Sequence, residues 1–216
     1  MTSPATVGLR ERGKQRRIEL ILAAARELLR ESPDQALTVD RIATRAEVSA
    51  PTVFNLIGRR ERIWAAIADQ ALSDLDLGAL RVIEDPQERA RAIVDAVITM
   101  VCADAPVFRA LLANWEQSAR VISHDPTSEL EACLAAAASR GSIIGGTDLR
   151  RRAELISAGL IGLVHQWGAG LLRDRALHTR GRDLVDFAFD AARGHRSSST
   201  TAPTNKGHVR CEGKAR

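Results

Sequence analysis

The sequence has 216 residues, of which 45% are hydrophobic and only 3% aromatic, and its formal net charge is +4. A chain of this length makes one large or two small domains, and its core must be built mainly from aliphatic side chains. The aliphatic residues show no sustained period-2 alternation, which favours packed helices over strands. No apolar run approaches the roughly 20 residues that a membrane span needs.

The three cysteines, Cys102, Cys133 and Cys211, have neither metal-ligand nor redox spacing, and their number is odd. This pattern favours a reducing compartment and no disulfide framework. Because the N-terminus also lacks an apolar signal region, we expect a cytoplasmic protein with no membrane partner. Cys102 and Cys133 are interpreted as small core residues, with a thiol sensor as the alternative.

The charge is unevenly distributed along the chain. Residues 1–64 carry twelve Lys/Arg against eight Asp/Glu, residues 65–194 carry fourteen against eighteen, and residues 195–216 carry five against one. A basic N-terminal part beside an acidic middle part is typical of a nucleic-acid-binding unit attached to a unit that does not bind nucleic acid. A chance imbalance between solvated faces is the alternative.

The N-terminal residues 1–13 are predicted to form a disordered basic arm. Such an arm can lie along phosphates or enter the minor groove, or it can merely keep the chain soluble. The first helix is predicted from Lys14 to Glu31, because an apolar stripe runs along it at helical spacing. The basic residues that span the arm and the start of this helix are Arg10, Arg12, Lys14, Arg16 and Arg17.

The stretch from Thr38 to Trp64 predicts two short helices joined by a tight turn, with a third helix behind them. Thr38 and Ser49 each precede a helical run, and their hydroxyls can accept a backbone N–H at its start. Val53 points to the core, which leaves the outer face of the second helix free to enter a DNA major groove. That outer face consists of Ala50, Thr52, Phe54 and Asn55.

The order of residues in this stretch resembles the TetR family of bacterial one-component regulators, in which a basic amphipathic helix precedes the helix-turn-helix. The similarity covers roughly Arg17 to Ile67. The residues that carry it are Thr38, Ile42-Ala43, Ala46-Glu47-Val48-Ser49, Pro51-Thr52-Val53-Phe54 and Arg60-Glu61-Arg62-Ile63.

The resemblance implies a homodimer that binds a palindromic operator in double-stranded DNA, each subunit placing its second motif helix in one major groove. It also implies a small-molecule effector that binds the rest of the chain, moves the fourth helix and changes the separation of the two DNA-binding units. The effector can act in this way only if it binds the DNA-incompetent state more tightly.

Some positions depart from the family pattern. Glu47 replaces a glycine at a turn that often needs positive φ, where a non-glycine residue costs about 1–2 kcal/mol. Phe54 replaces a tyrosine whose hydroxyl commonly contacts phosphate, and Leu56 replaces a histidine. Arg60 replaces a lysine and keeps the phosphate-directed charge. These departures support a second hypothesis, a nonspecific DNA-binding protein or protein-interaction adaptor that has kept the fold without operator specificity.

The rest of the chain predicts further helices and a polar tail. The fourth helix is predicted to start near Arg59 and to end before Gly78. Three Asp and Pro combinations predict helices over 85–103, 104–119 and 125–139, because an Asp can cap a helix and a proline fits its first turn. The last two helices are predicted over 148–172 and 182–193. The predicted organisation is all-α: a three-helix helix-turn-helix DNA-binding domain over 14–64, a larger helical domain for effector binding and dimerisation over 65–194, and a disordered basic tail over 195–216.

Three sets of functional residues are predicted. The DNA-binding set is Arg17, Thr38, Ser49, Ala50, Pro51, Thr52, Phe54, Asn55, Arg59 and Arg60. The large side chains predicted to line an effector pocket, with plain core packing as the alternative for each, are Met100, Phe108, Leu111, Leu112, Trp115, His165 and Trp167. The dimer interface, with a core within one chain as the alternative, is predicted to contain Leu160, Leu163, Trp167, Leu184 and Phe187.

No catalytic, cofactor or metal site is predicted. The sequence lacks a nucleophile elbow, a phosphate loop and a paired-carboxylate signature, and its five histidines are scattered. We therefore predict a transcription regulator rather than an enzyme, most simply a repressor that a small molecule releases from its operator.

Overall fold

The computed structural model describes residues 8–33, 35–114, 126–144 and 148–193. These residues form helices and connecting turns without a strand, which confirms the all-α prediction. Within these ranges no single helix is long and apolar enough to cross a membrane. The helices Pro86–Ala103 and Ala105–Ala113 pass that test only as a pair bent by 96°. The helices are α1 (Leu9–Glu31), α2 (Val39–Arg45), α3 (Ala50–Leu56), α4 (Arg60–Ser73), α5 (Pro86–Ala103), α6 (Ala105–Ala113), α7 (Thr127–Ser139), α8 (Leu149–Gly168) and α9 (Asp174–Arg193).

The first four helices form a unit that we call the head (α1 to α4). Helix α1 contacts α2, α3 and α4, and it turns its apolar stripe towards them. The short helices α2 and α3 are therefore held in place by one long helix, which offsets their low intrinsic stability. The buried side chains at the centre of the head are Ile21, Leu22, Ala25, Leu29, Ile42, Val53, Ile63 and Trp64.

Helix α1 begins at Leu9, earlier than the predicted start at Lys14. Arginine and glutamate favour a helix, and Glu11 pairs with Lys14 at 3.6 Å, one turn along it. The prediction of a disordered arm over residues 1–13 is therefore wrong for its last residues, which extend the helix. Residues 1–7 lie outside the described part of the chain.

Helices α5 to α9 form a second unit, the body, with α5 in contact with the other four. Helix α5 begins as predicted, because Asp85 accepts the backbone N–H of Glu88 at 2.8 Å and Pro86 occupies its first turn. Helix α9 begins at Asp174, so the predicted start at 182 is wrong. Gly181 disfavours a helix in isolation, but it allows α9 to approach α5: a Cβ there would lie 2.6 Å from the Ile98 side chain.

The ends of three other helices differ from the prediction. Helix α4 ends at Ser73 and is followed by a 3₁₀ helix, Leu77–Val82. Helix α8 ends at Gly168 instead of 172, because Gly170 adopts a φ of +77° and closes the last turn. Helix α6 ends at Ala113 instead of 119. These ends depend on turns that helical periodicity does not encode.

The two cysteines within the described residues occupy different environments. Cys133 is fully buried, which confirms its interpretation as a core residue, and Cys102 is half-buried. The Nε of Arg89 donates to the Cys133 sulfur at 3.2 Å. Burial nevertheless raises the pKa of the Cys133 thiol, so the thiol stays protonated and unreactive at neutral pH. Cys211 lies outside the described part of the chain.

The head and the body meet where α1 packs against α6. The Arg30 guanidinium of α1 binds the Asp104 carboxylate at the start of α6 through two hydrogen bonds of 2.9 and 2.7 Å. A bidentate pair of this kind fixes orientation as well as distance. On the head side of the junction, Arg26 Nη2 donates to the backbone oxygen of Ile67 at 3.1 Å and ties α1 to α4.

Candidate nucleic-acid interface and effector cavity

Both predicted helix caps are formed in the helix-turn-helix. Thr38 Oγ1 accepts the backbone N–H of Arg41 at 3.3 Å and starts α2. Ser49 Oγ accepts the N–H of Thr52 at 3.3 Å and starts α3, and the two hydroxyls of Ser49 and Thr52 lie 2.8 Å apart. These local bonds fix where α3 begins, and therefore which of its side chains face outwards.

The turn between α2 and α3 contains Glu47 at a φ of +53°, the conformation that the glycine of the family pattern suggests. Among the described residues no other non-glycine residue has a positive φ. The side chain is exposed and forms no ion pair with another described residue. The conformation is held by the backbone, because the N–H of Glu47 donates to the oxygen of Thr44 at 3.3 Å and the N–H of Val48 donates to that of Ala43 at 3.0 Å.

We expect Glu47→Gly to raise the free energy of unfolding by about 0.5–1 kcal/mol. Relief of about 1–2 kcal/mol of backbone strain outweighs the larger conformational entropy of glycine in the unfolded chain. Urea unfolding followed by circular dichroism measures the change. Glu47→Ala is the matched control, because it removes the same charge and keeps the strain; equal stabilisation by both variants would refute the backbone explanation.

The outer face of α3 is defined by the burial of Val53 on its inner face. Pro51, Phe54 and Asn55 are exposed, with 50% of the Phe54 surface accessible, whereas Ala50 and Thr52 are half-buried. A short, exposed helix with one polar amide and one apolar ring can enter a major groove and contact base edges.

Three exposed cations belong to the predicted DNA-binding set. Arg17 lies on α1, Arg59 is the N-cap of α4, and Arg60 is the first residue of α4. None of the three forms an ion pair with another described residue, and the guanidinium carbon of Arg60 lies 6.0 Å from the centroid of the Trp64 ring. Arg45, in contrast, is bound by Glu27 and Glu31.

The predicted pocket residues do not converge on the junction cavity, a space of about 210 Å³ that opens between α1, α4, α5 and α6. Only Met100 and Phe108 of the predicted set line it. Arg26 reaches it from α1, a contribution that no sequence motif indicates. The complete lining is Arg26, Ile67, Ala71, Asp74, Leu75, Met100, Asp104, Val107 and Phe108.

The other predicted pocket residues lie where α6 and α8 pack. Leu111 is buried, and the Leu112 side chain packs against Gly168. Trp167 is 1% exposed and donates its Nε1–H to Asp174 at 2.8 Å. His165 Nδ1 lies 2.9 Å from the backbone oxygen of Ile161. Trp115 lies outside the described part of the chain.

The predicted dimer-interface residues divide into two groups. Leu160 and Trp167 are buried inside their own chain, which leaves little of their surface for contact with a partner. Leu163 and Leu184 are half-buried, and Phe187 on α9 is 74% exposed. Helical periodicity identified an apolar face on α8 and α9, but it could not tell which side each helix buries within its own chain. Leu155, Ile161 and Leu171 are also exposed and apolar, and none of them is in the predicted interface.

Comparison with known proteins supports this description. The family model described as bacterial regulatory proteins, tetR family, matches residues 21–55, from α1 into α3. The HTH-type transcriptional activator FasR of Mycolicibacterium smegmatis is 27% identical over 152 residues, which cover 69% of this chain and 68% of that protein.

Two solved structures share the fold. A TetR transcriptional regulator from a Rhodococcus species matches with a TM-score of 0.58 and 13% identity, over 82% of this chain and 98% of that chain. The TetR family regulator PfmR from Thermus thermophilus matches with a TM-score of 0.52 and 19% identity, over 79% of this chain and 97% of that chain. At these identities the two matches show a common architecture.

Proposed function

Because this chain belongs to the TetR family of bacterial regulatory proteins, which bind DNA and regulate transcription, we propose that it is a dimeric repressor of a palindromic operator. Each subunit places α3 in one major groove, and the two half-sites are centred about 34–36 Å apart or at a multiple of that distance. It acts in the cytoplasm, where the DNA is, and a small molecule releases it from the operator.

The observation that supports this proposal is the outer face of α3. Asn55 is exposed on a helix whose start is fixed by Ser49, and its amide can bond both N6 and N7 of adenine. Arg59 and Arg60 follow at once and can hold the adjacent phosphates. The surface therefore combines base contact with backbone contact, which sequence-specific binding requires.

We expect Asn55→Ala and Arg60→Ala to weaken DNA binding in different ways. Asn55→Ala should relax the base preference at one or two positions of each half-site and cost about 1–3 kcal/mol on the preferred sequence. Arg60→Ala should weaken binding to all DNA sequences alike. It should also reduce the salt dependence of the binding constant by the amount that one phosphate contact per subunit contributes. A binding selection at two salt concentrations, followed by titrations, measures both effects.

Arg140→Ala is the matched control, since Arg140 is an exposed arginine of the body and should change neither preference nor salt dependence. A uniform loss of affinity for Asn55→Ala, with unchanged base preference, would exclude the amide from recognition. That outcome would favour the nonspecific DNA-binding alternative, in which the exposed Phe54 ring and the phosphate contacts supply the affinity.

Activation of transcription is the second candidate, because the relative from Mycolicibacterium smegmatis is named an activator. The two roles use the same DNA-binding surface and differ in where the operator lies relative to the promoter. Transcription in vitro from the upstream intergenic promoter distinguishes them: addition of the protein lowers transcript yield for a repressor and raises it for an activator.

The junction cavity supports the proposed response to a small molecule. Its lining comes from α1 and α4 of the head and from α5 and α6 of the body, so a ligand there contacts both units. A ligand that prefers one relative orientation of head and body shifts the population towards it, and DNA affinity changes accordingly. Dimerisation is proposed to use the exposed apolar side chains of α8 and α9.

A further inference from the structure

The junction cavity contains two opposite charges that have no ion-pair partner among the described residues. Arg26 donates one N–H to the backbone oxygen of Ile67 at 3.1 Å, which leaves most of its donors unused. Asp74 accepts from the neutral amide of Gln70 at 2.8 Å. The third charged residue of the lining, Asp104, is already neutralised by its bidentate pair with Arg30.

The remaining lining is apolar. The cavity, at about 210 Å³, is larger than the about 150 Å³ that accommodates benzene and smaller than the about 300 Å³ at which pockets for drug-sized ligands begin. It therefore suits a molecule of roughly eight to ten non-hydrogen atoms. The apolar side chains that would contact it are Ile67, Ala71, Leu75, Met100, Val107 and Phe108.

We propose that this cavity binds a small zwitterion with an apolar side chain, namely a free α-amino acid of the size of leucine or methionine. Its carboxylate bonds to Arg26, its ammonium group faces Asp74, and its side chain packs on the apolar wall. A ligand with one charge would pair with only one of these two groups. Arg26 is half-buried and Asp74 is exposed, so the contact between the carboxylate and Arg26 is expected to contribute more than the contact between the ammonium group and Asp74. This inference deepens the proposed effector response and rests on it.

An amino acid bound in the cavity would contact both the head and the body. The carboxylate would be held from α1, and the side chain would contact Met100 of α5 and Val107 of α6. Because the contacts span the two units, ligand affinity depends on their relative orientation. Thermodynamic linkage then makes the effect reciprocal. If the amino acid changes the affinity of the protein for operator DNA by some factor, the DNA changes its affinity for the amino acid by the same factor.

The first test is calorimetric titration of the full chain, without DNA, with L-leucine and L-methionine. Two analogues serve as matched ligands: 4-methylpentanoate lacks the ammonium group of leucine, and 3-methylbutylamine lacks its carboxylate. We expect one of the amino acids to bind. 3-Methylbutylamine should bind at least about tenfold more weakly, as the loss of a charge-assisted hydrogen bond to Arg26 predicts. 4-Methylpentanoate should bind about two- to fivefold more weakly, because Asp74 is exposed and its contact with the ammonium group is screened. Equal affinity for an analogue, or no binding of either amino acid, overturns the proposal.

Variants locate the site. Arg26→Gln should weaken amino-acid binding about tenfold or more, as the loss of its charged partner predicts. Asp74→Asn should weaken it about two- to fivefold, because Asp74 is exposed. Arg140→Gln and Asp148→Asn, the same changes at exposed residues away from the cavity, should leave it unchanged. Ala71→Leu fills the cavity without altering its charge and should abolish binding. Circular dichroism tests whether each variant is folded. Unchanged amino-acid binding in the three cavity variants overturns the assignment of the binding site to this cavity.

The two proposals can fail separately. The calorimetric titrations contain no DNA, so their failure overturns the amino-acid assignment and leaves operator binding untouched. Intact amino-acid binding by a chain without operator preference would sustain the ligand site and reject the proposed regulatory function. An operator complex whose stability leucine and methionine leave unchanged, despite their binding in the cavity, would overturn the coupling of this site to DNA.

Discussion

Replacing Phe187 with glutamate is expected to separate the proposed dimer and to lower its affinity for a two-half-site operator by about 10²–10⁴-fold, the gain that linking two binding events commonly supplies. Phe187 is 74% exposed on α9, and a large apolar ring in that position is stabilised when a second copy covers it. In a two-fold interface the same patch meets itself, so one substitution introduces two carboxylates. A monomer engages one half-site and loses the contribution of the second.

Sedimentation at micromolar concentration measures the assembly state, and titrations on whole and half operators measure the affinity. The variant should bind an isolated half-site as the unaltered chain does. Val82→Glu is the matched control, because Val82 is 83% exposed and lies in the 3₁₀ helix, away from α8 and α9. A Phe187→Glu chain that still sediments as a dimer would exclude this face as the interface.

Trp167→Ala should lower the free energy of unfolding by about 3–5 kcal/mol, the cost of removing a large ring from a packed core. The ring is 1% exposed, and the Arg109 guanidinium carbon lies 5.1 Å from its centroid. Its Nε1–H bonds to Asp174 in the first turn of α9, 2.8 Å away. The substitution therefore removes apolar burial and leaves a carboxylate without its donor.

Trp167→Phe separates these contributions, because phenylalanine keeps an aromatic ring and removes the N–H. We expect it to lose about 1–3 kcal/mol, the usual cost of an unpaired partner. Urea unfolding followed by far-UV circular dichroism, with the slope of the transition compared between variants, measures both losses. A change below about 1 kcal/mol for Trp167→Ala, well short of the usual cost, would show that the ring is not packed as described.

The sequence was most informative where structure depends on neighbouring residues. Thr38, Ser49 and Asp85 accept backbone N–H groups three residues later, so the starts of α2, α3 and α5 could be predicted from short patterns. The start of α9 could not, because Gly181 is favourable there only through its contact with Ile98 of another helix.

The candidate ligand site was mostly beyond sequence interpretation. Met100 and Phe108 were identified as large side chains, but Arg26 and Asp74 come from the head and have no motif in common with them. Their convergence depends on how α1 and α4 pack against α5 and α6. Trp167 was predicted for both the pocket and the interface from its size and its position on α8, and tertiary packing buries it within its own chain.

The attachment of the head to the body is partly electrostatic. The chain continues from α4 into the body, α1 packs against α6, and the Arg30–Asp104 pair adds a charged contact to that packing. Half of the Arg30 side chain is exposed, and dissolved ions screen such a pair. Rising ionic strength therefore weakens this contact between the two units at the same time as it weakens contacts with phosphate.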